Sequence, residues 1–376
     1  MKKTLLTICL VWMCFSLSAQ KIIDLSGKWS FSIDRQDNGE KEKWFSHTLN
    51  DFINLPGSMP EKLKGDEVTA KTQWTGSLYD SSYYYNPYME KYRKEGNIKF
   101  PFFLTPDKHY VGAAWYQKEV NIPADWKGER ILLFLERPHI ETTVWVNGQK
   151  TGMQNSLCVP HQYDITRYVR PGKCTITIRV DNRIKEINVG PDSHSITDQT
   201  QGNWNGIVGR ICLQTTPKTY FDDIQIYPEP EQKLARVKVV IKGTGTAKVK
   251  LSAESFNTDK KHIVPAIQQE IKLNKGVTET EMVLPMGNDM LLWDEFHPAL
   301  YKLKAEVTNG KKTEIKEIQF GMRRFEIKGK WFYVNGRKTQ LRGTVENCDF
   351  PLTGYAPMDV ESWERVFRIC RSYGLN

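Results

Sequence analysis

Two loops of this sequence combine residue types that can hold a polar, hydroxyl-bearing ligand. Carboxylate, amide and guanidinium groups form hydrogen bonds with hydroxyls, and an indole can cover the face of a ring. The first loop, taken with the strand end at Arg342, follows a predicted strand near residue 340, and the second spans residues 194–205. The candidate binding residues are Arg342, Glu346 and Asn347 in the first loop, and Asp198, Asn203 and Trp204 in the second.

Both loops also allow a structural interpretation. The second is equally compatible with a loop held together by its own polar side chains. Glu346 is suited to bind hydroxyls, to lie on the surface or to be buried in a structural role. The histidines His109, His139, His161 and His194 are scattered, and no CxxC or HExxH motif occurs. The sequence therefore supports no metal site, and no cofactor is expected.

The first loop lies between a predicted strand and a predicted helix. The strand is Thr339–Gly343, and the helix runs from about Met358 to Tyr373, with apolar residues at helical spacing. Gly374 occupies the place of a helix C-cap glycine, and Leu375 begins the next predicted strand. This strand–loop–helix order predicts the start of a TIM barrel at residues 321–376. Arg342 then lies at the carboxyl end of a barrel strand, where the active sites of barrel enzymes form.

Short alternating strands precede this segment and predict a mainly β fold. At residues 20–217 they indicate a jelly roll, in which Asn147-Gly148 predicts a hairpin turn. About 100 residues of further strands, 218–320, indicate an immunoglobulin-like sandwich without its disulfide. The predicted strands include Trp29–Ile33, Ile131–Leu135, Thr143–Val146, Thr175–Val180, Val237–Ile241, Ala247–Leu251 and Leu300–Ala305.

Six tyrosines between Tyr79 and Tyr92 follow neither strand nor helix spacing. We interpret this segment as a long loop inserted into the first β domain. Its aromatic rings offer a platform for sugars, and burial of the loop against its own domain is the competing interpretation.

The amino terminus predicts export. Lys2 and Lys3 precede an apolar run from Leu5 to Leu17, and small residues end at Ala19. This pattern is typical of a cleaved signal peptide at residues 1–19 and is too short for a comfortable membrane span. We therefore expect a periplasmic or secreted protein that leaves the membrane after cleavage.

Charge and cysteine usage narrow the range of partners. The net charge is +9, with 53 basic residues spread along the chain, so no nucleic-acid partner is expected. Attraction to acidic glycans and an ordinary solvated surface both fit this charge. The cysteines outside the signal peptide are odd in number and scattered, which favours buried free thiols over a disulfide framework. They are Cys158, Cys174, Cys212, Cys348 and Cys370.

Seven motifs in order make the chain similar to glycoside hydrolase family 2, which includes β-galactosidases, β-glucuronidases and β-mannosidases. They cover nearly all of the sequence after the signal peptide, and we expect Trp115 and Trp145 within them to be core residues. The motifs are Ala114–Tyr116 with Ile122-Pro123, Val144–Gly148, Asp164–Thr166 with Gly172, Ile178–Asn182, Trp204–Arg210, Trp293–Tyr301, and Gly321–Phe325 with Val334–Gly336 and Leu341–Gly343.

The resemblance implies a retaining β-glycosidase that acts on oligosaccharides or polysaccharides. Such enzymes use two glutamates, which the resemblance places on barrel strands beyond residue 376, so no catalytic residue is assigned. It implies that the loop before Asn205 reaches the barrel mouth. It also implies Asn and His near the sugar where this chain has Val345 and Asn347, which argues against standard β-galactosidase specificity.

We therefore expect an inactive amino-terminal portion of an exported enzyme, cut short at the start of its barrel. The alternative is a non-catalytic carbohydrate-binding protein. Against it stands the predicted helix, whose apolar residues Val360, Trp363 and Phe367 need a covering surface. A purely structural β-sandwich protein is the third hypothesis. Assembly into a homo-oligomer stays open.

Overall fold

The computed structural model describes residues 21–73, 82–99, 105–156, 159–185, 202–346 and 350–376. Strands dominate these residues, which confirms the mainly β prediction. The chain forms two compact units, one of residues 21–216 with 339–376 and one of residues 217–338. The predicted signal peptide lies outside the described residues. No helix among those residues is long and apolar enough to cross a membrane.

The first unit is built mainly from two antiparallel sheets that share one core. The first sheet has the strand order β1-β13-β8-β11, with β4 paired to β13. The second sheet has the order β10-β9-β12-β7-β2-β3. The strands of this unit are β1 (Ile22–Asp24), β2 (Gly27–Asp34), β3 (Asp51–Leu55), β4 (Gly57–Ser58), β5 (Asp66–Glu67), β6 (Lys108–His109), β7 (Ala113–Ile122), β8 (Arg130–Pro138), β9 (Glu141–Val146), β10 (Gln149–Asn155), β11 (His161–Asp164), β12 (Gly172–Asp181) and β13 (Gly206–Thr216). Strands β5 and β6 pair with each other as a separate two-stranded sheet.

Side-chain alternation fixes which face of each strand enters this core. Leu133 and Ile211 of the first sheet pack with Tyr116 and Ile178 of the second, and all four are fully or almost fully buried. Because successive side chains of a strand point to opposite faces, the two sheets face each other as layers of a sandwich. The Asn147-Gly148 turn joins β9 to β10 with both residues at positive φ, as the hairpin prediction requires.

The outer face of the second sheet is covered by the segment that follows β2. Phe45 stacks on Trp145 with ring centroids 5.2 Å apart, and Trp44 lies 6.1 Å from Trp115. Trp115 also donates a hydrogen bond to Asp34, 2.9 Å away. Trp115 and Trp145 are both buried, which confirms that they are core residues.

A network of ion pairs occupies the same outer face beside these aromatics. Arg179 contacts Asp37 at 2.5 Å and Asp181 at 3.0 Å, while Arg183 contacts the same two carboxylates, each at 2.6 Å. Asp181 is fully buried. Burial would raise the pKa of Asp181, but hydrogen bonds from Arg183 and Lys185 outweigh it and hold the pKa far below its usual value.

The second unit is dominated by one five-stranded sheet that bends over a single core. Its order is β14-β15-β17-β18, with β16 on β15, and two further strands at its end pair as a hairpin. The strands of this region are β14 (Tyr220–Glu229), β15 (Leu234–Phe256), β16 (Ile263–Pro285), β17 (Leu300–Asn309), β18 (Lys312–Phe320), β19 (Phe325–Lys328), β20 (Trp331–Val334) and β21 (Arg337–Thr339).

Strand β15 merges two strands that the sequence predicts as separate, Val237–Ile241 and Ala247–Leu251. Its first half pairs with β14 and its second half with β17. The register shifts between Gly243 and Gly245, and side chains from both halves enter the same core. The glycines therefore bend a continuous strand, where the sequence pattern had indicated a break.

The helix predicted near the carboxyl terminus is confirmed, and its preceding strand is not. Helix α2 covers Val360–Ser372, beginning after the Asp359 side chain caps the Ser362 N–H at 2.8 Å. Gly374 at φ +81 ends it with bonds from Gly374 and Leu375 to the last turn, a Schellman motif. Of Thr339–Gly343, only Thr339 is in a strand. A parallel barrel strand needs neighbouring strands to pair its backbone. In the described residues, the Arg342 backbone bonds to Asn376, which is not in a strand.

The remaining helical elements are short. The four-residue helix α1 covers Ser82–Tyr85, and α2 exposes apolar side chains including Val360 and Phe367. Cys174 and Cys212 are buried free thiols, as expected, and burial raises the pKa of Cys174 to about 11. Cys158 and Cys348 lie outside the described residues. The 3₁₀ turns are Trp44–Ser46, Pro87–Arg93, Ala124–Trp126 and Pro230–Gln232.

The buried carboxylate of Asp181 should be essential for the stability of the first unit. We expect Asp181→Asn to cost about 3–5 kcal/mol, because it removes the fully buried carboxylate that pairs with Arg179, Arg183 and Lys185. Asp51→Asn removes an exposed carboxylate paired with Lys64 and should cost at most about 1 kcal/mol. Urea unfolding of the two variants measures the difference, and equal costs would contradict a structural role for the network.

Candidate functional site

Two of the six predicted binding residues lie together at the start of β13. Asn203 and Trp204 are both described and both buried. Arg342 and Glu346 are exposed in the segment before α2. Asp198 and Asn347 lie outside the described residues. The geometry around Asn203 and Trp204 therefore defines the candidate site.

The neighbouring Asn205 fixes the backbone at this position. Its side-chain amide donates to the carbonyls of Gly112 and Val180, each at 3.0 Å, and its side-chain oxygen accepts from the Tyr116 hydroxyl at 2.8 Å. Its own carbonyl accepts from the Met59 N–H at 2.7 Å. Since every polar group of this buried side chain is paired, Asn203 and Trp204 extend from a fixed point.

Trp204 is enclosed between the strand β8 end of the sandwich and the segment before α2. The His139 ring stacks on it, with centroids 4.7 Å apart and planes 20° from parallel, and the Tyr355 ring lies 5.5 Å away on a tilt of 53°. The His139 Nε2 atom also lies 3.1 Å from Asn203 Oδ1. One histidine therefore contacts both predicted binding residues.

Gly354 lets the segment before α2 approach Trp204 closely. A Cβ atom on Gly354 would lie 2.8 Å from Trp204 Cβ, closer than real Cβ atoms approach, and its φ of +82° also favours glycine. Gly202 packs against the same residue, since its own Cβ would lie 3.1 Å from the Gly354 Cα. Backbone therefore meets backbone and indole without an intervening side chain.

Two hydrogen bonds attach the same segment to the turn after β4. The Ser58 hydroxyl donates to the Thr353 carbonyl. The Tyr355 hydroxyl donates to Glu61 Oε2 at 2.8 Å, and Glu61 is also paired with Lys62 at 2.6 Å. Thr353 and Tyr355 are thereby attached to residues on either side of Met59, whose N–H bonds to the Asn205 carbonyl.

The electrostatics of these groups limit the chemistry that they can perform. Partial burial would raise the pKa of Glu61, but bonds from Lys62 and Tyr355 outweigh it and lower the pKa. A carboxylate with a lowered pKa is a poor proton donor at neutral pH. Burial raises the pKa of Tyr355, and the Glu61 charge raises it further. The arrangement is suited to holding and positioning, with Glu61 as an ionised hydrogen-bond acceptor.

Burial also lowers the pKa of His139 to about 4, although its bond with Asn203 acts in the opposite direction. The imidazole is therefore neutral at physiological pH. A neutral ring can donate through Nε2 to the Asn203 oxygen, which then points its carbonyl at His139 and its amide nitrogen away from it.

Arg342 is engaged at the end of α2. Its Nε donates to the Gly374 carbonyl at 2.5 Å, and its backbone N–H donates to the Asn376 side chain at 2.8 Å. These bonds tie the segment before the first loop to the helix end. The structure thus gives Arg342 a local structural contact and does not bring its side chain to Trp204.

Five residues that form this site carry no sequence signal that would predict their role. Gly354 and Tyr355 follow Pro351 in an irregular segment, where no periodicity marks them. His139 was read as an isolated histidine. The five residues are Ser58, Glu61, His139, Gly354 and Tyr355.

The tyrosine segment has both buried and exposed rings. Tyr83 is buried, and its hydroxyl donates to the Tyr92 carbonyl at 2.8 Å. Tyr85 and Tyr88 are 73% and 84% exposed. Tyr79 lies outside the described residues.

In the part of the chain that the structure describes, no group of three His, Cys, Asp or Glu residues could hold a metal ion.

Two family profiles match consecutive parts of the chain. The profile described as "Glycosyl hydrolases family 2, sugar binding domain" matches residues 22–217, which include Trp204. A second profile, "Glycosyl hydrolases family 2", matches residues 219–323. The chain belongs to glycosyl hydrolases family 2. This confirms the resemblance read from the seven motifs.

Two relatives of this family 2 chain have different enzyme names. The β-glucuronidase of Paenibacillus borealis is 24% identical over 355 residues, covering 89% of this chain and 51% of the relative. The β-galactosidase large subunit of Latilactobacillus sakei is 23% identical over 350 residues, covering 90% of this chain and 52% of the relative.

A solved structure shows the same fold. The crystal structure of Ruminococcus gnavus β-glucuronidase matches with a TM-score of 0.67 and 19% identity, covering 96% of this chain and 54% of the other. The family 2 chain thus spans about half the length of the relatives that it matches.

The close contact at Gly354 should be sensitive to one methyl group. We expect Gly354→Ala to destabilise the first unit by about 2–4 kcal/mol, since it combines a left-handed backbone with overlap against Trp204. Gly343→Ala is the matched control, because nothing lies within 4 Å of its added Cβ. Its effect should stay within about 0.5 kcal/mol. Calorimetry of the whole chain tests this, and similar unfolding midpoints for the two variants would refute the contact.

His139 should make stability depend on pH in the acidic range. Its pKa of about 4 in the folded state lies below the ordinary value of 6.5, so the unfolded chain binds the proton first as pH falls. The His139 contribution is therefore present above pH 6.5 and declines towards pH 4, by at most about 3 kcal/mol. The difference in unfolding free energy between wild type and His139→Phe, measured from pH 4 to 7, should show this slope. A pH-independent difference would exclude it.

Proposed function

We propose that this chain is the amino-terminal portion of an exported, retaining β-glycosidase that degrades oligosaccharides or polysaccharides. The observation that carries the proposal is the family 2 match over residues 22–217 and 219–323. Relatives named β-glucuronidase and β-galactosidase support a β-linked substrate. Export is proposed from the apolar run that ends at Ala19.

We propose a jelly roll for residues 20–217, an immunoglobulin-like sandwich for 218–320 and the start of a TIM barrel for 321–376. The two facing sheets of the first unit support the jelly roll, and the bent sheet around β15 supports the sandwich. Helix α2 and the bonds between Asn376 and Arg342 support a strand–helix–strand order at the barrel start.

The substrate site is proposed at the loops that Trp204 and Tyr355 hold together. Asp198 and Asn203 from one loop, with Glu346 and Asn347 from the other, would bind sugar hydroxyls. Trp204 supports these loops from below, because both of its faces already have neighbours. Arg342 would position the first loop from its anchor at the end of α2.

Retaining hydrolysis requires two carboxyl groups about 5 Å apart across the sugar ring. One carboxylate attacks the anomeric carbon while the other, as the acid, protonates the departing oxygen; water then cleaves the glycosyl–enzyme bond. Glu61, with its lowered pKa and its bonds to Tyr355 and Lys62, is unsuited to either role. The family resemblance implies that both catalytic glutamates lie on barrel strands beyond residue 376, and we propose that residues 1–376 alone are inactive.

The alternative function is non-catalytic carbohydrate binding, and the exposed Tyr85 and Tyr88 favour it. Exposed aromatic rings offer faces for sugar rings. A binding protein would need no catalytic pair, so the same assays separate the two functions.

The test compares residues 1–376 with the polypeptide from the complete reading frame, each on nitrophenyl β-glucuronide, β-galactoside and β-mannoside. We expect hydrolysis only by the complete polypeptide, with retained anomeric configuration in the NMR spectrum of the first product. Inverted product would refute the retaining mechanism. Inactivity of both polypeptides, with binding to polysaccharide in a pull-down assay, would favour the alternative.

A further inference from the structure

His139 is the residue that links the two predicted binding side chains of the site. Its ring covers Trp204 with centroids 4.7 Å apart, and its Nε2 atom lies 3.1 Å from Asn203 Oδ1. It follows directly on β8, and its backbone N–H donates to the Gly206 carbonyl at 3.3 Å. The backbone of His139 is therefore held by Gly206, the first residue of the strand that follows Asn203 and Trp204.

An aromatic stack extends from His139 to the other loop. Trp204 lies between the His139 ring and the Gly354-Tyr355 segment, and the Tyr355 hydroxyl ends the chain of contacts on Glu61. A displacement of the imidazole would thus be transmitted to the indole and then to the segment that follows the first loop. Such a chain of packed groups is a physical means of fixing two loops relative to each other.

The contact with His139 also favours one orientation of the Asn203 amide. An amide can be rotated so that either its oxygen or its nitrogen points to a given side, and the two orientations offer opposite hydrogen-bonding groups. A neutral imidazole that donates through Nε2 selects the orientation with oxygen towards His139. An apolar ring at the same place would make no such selection.

We propose that His139 is a positioning residue for substrate binding, which fixes the amide orientation of Asn203 through Nε2 and the place of Trp204 through its ring. The inference rests on the proposed function, in which Asn203 binds a sugar hydroxyl. His139 itself does not need to touch the sugar.

Two substitutions separate the contributions of the ring and the donor. His139→Phe keeps an aromatic face against Trp204 and removes the donor to Asn203. His139→Gln keeps a donor at similar reach and removes the ring. His47→Phe makes the same chemical change at an exposed histidine and is the matched control.

Kinetics of the complete polypeptide on its best nitrophenyl β-glycoside test the donor. His139→Phe should raise KM on the order of tenfold with kcat within about twofold, because binding before the chemical step is weakened. His139→Gln should keep KM within about threefold of wild type. Asn203→Ala should raise KM similarly, and adding His139→Phe to it should have little further effect.

The opposite patterns would overturn the proposal. An unchanged KM in His139→Phe would show that the donor has no role. Equal losses in His139→Phe and His139→Gln, or additive effects with Asn203→Ala, would indicate general damage. If His139→Phe does not fold, the Gln variant decides: a tenfold rise in its KM contradicts the proposal.

A spectroscopic readout separates this inference from the proposed function. In chain labelled with 5-fluorotryptophan, the Trp204 ¹⁹F resonance is assigned with Trp204→Phe. His139→Gln should shift this resonance through loss of the stacked ring, whereas His47→Phe should not. An unmoved resonance would refute the stack whether or not the protein is an enzyme. Inactivity of the wild-type complete polypeptide would instead refute the proposed function.

Discussion

The buried amide of Asn205 is the constraint on which the site depends. Its side chain bonds to the Tyr116 hydroxyl of β7, to the Val180 carbonyl of β12 and to the carbonyl of Gly112 just before β7. The Asn205 backbone carbonyl also accepts from the Met59 N–H after β4. A buried amide gains little from each bond but loses much when one is left unmade. These bonds therefore hold the backbone before β13 in place, and this backbone sets where the side chains of Asn203 and Trp204 begin.

From this fixed point, close backbone packing brings the segment before α2 into place. Gly202 and Gly354 let backbone approach backbone, and Gly354 lets the chain pass against the Trp204 ring. Directional bonds from Ser58 and Tyr355 then set the segment along the same wall. Steric fit determines how near the loops come, and hydrogen bonds determine their register. This division explains why Glu61 serves best when ionised, as an acceptor for Tyr355.

Local patterns in the sequence predicted the elements whose causes are local. The Asn147-Gly148 turn, the Gly374 cap and the buried Trp115 and Trp145 follow from backbone preference or strand alternation over a few residues. Strand β15 escaped prediction because Gly243 and Gly245 punctuate a sequence just as a turn would. Only the pairing of β16 along both halves, a tertiary fact, makes them a bend. Residues 340–343 were predicted as part of a strand from their place before a loop and a helix, and that order does not supply the neighbouring strands that would pair with them.

The sequence predicted only those site residues whose side-chain type is itself suited to ligand binding. Asn203 and Trp204 were chosen for an amide and an indole, and the structure places them together. Their partners are distant in sequence: Tyr355 and Glu61 are 294 residues apart, and no spacing rule connects them. Burial of Trp204 between His139 and Tyr355 also changes its expected role, because a ring with both faces occupied stabilises a binding wall from behind. Under the proposed function, polar groups of these loops would meet the sugar, and Trp204 with its neighbours His139 and Tyr355 would set their position.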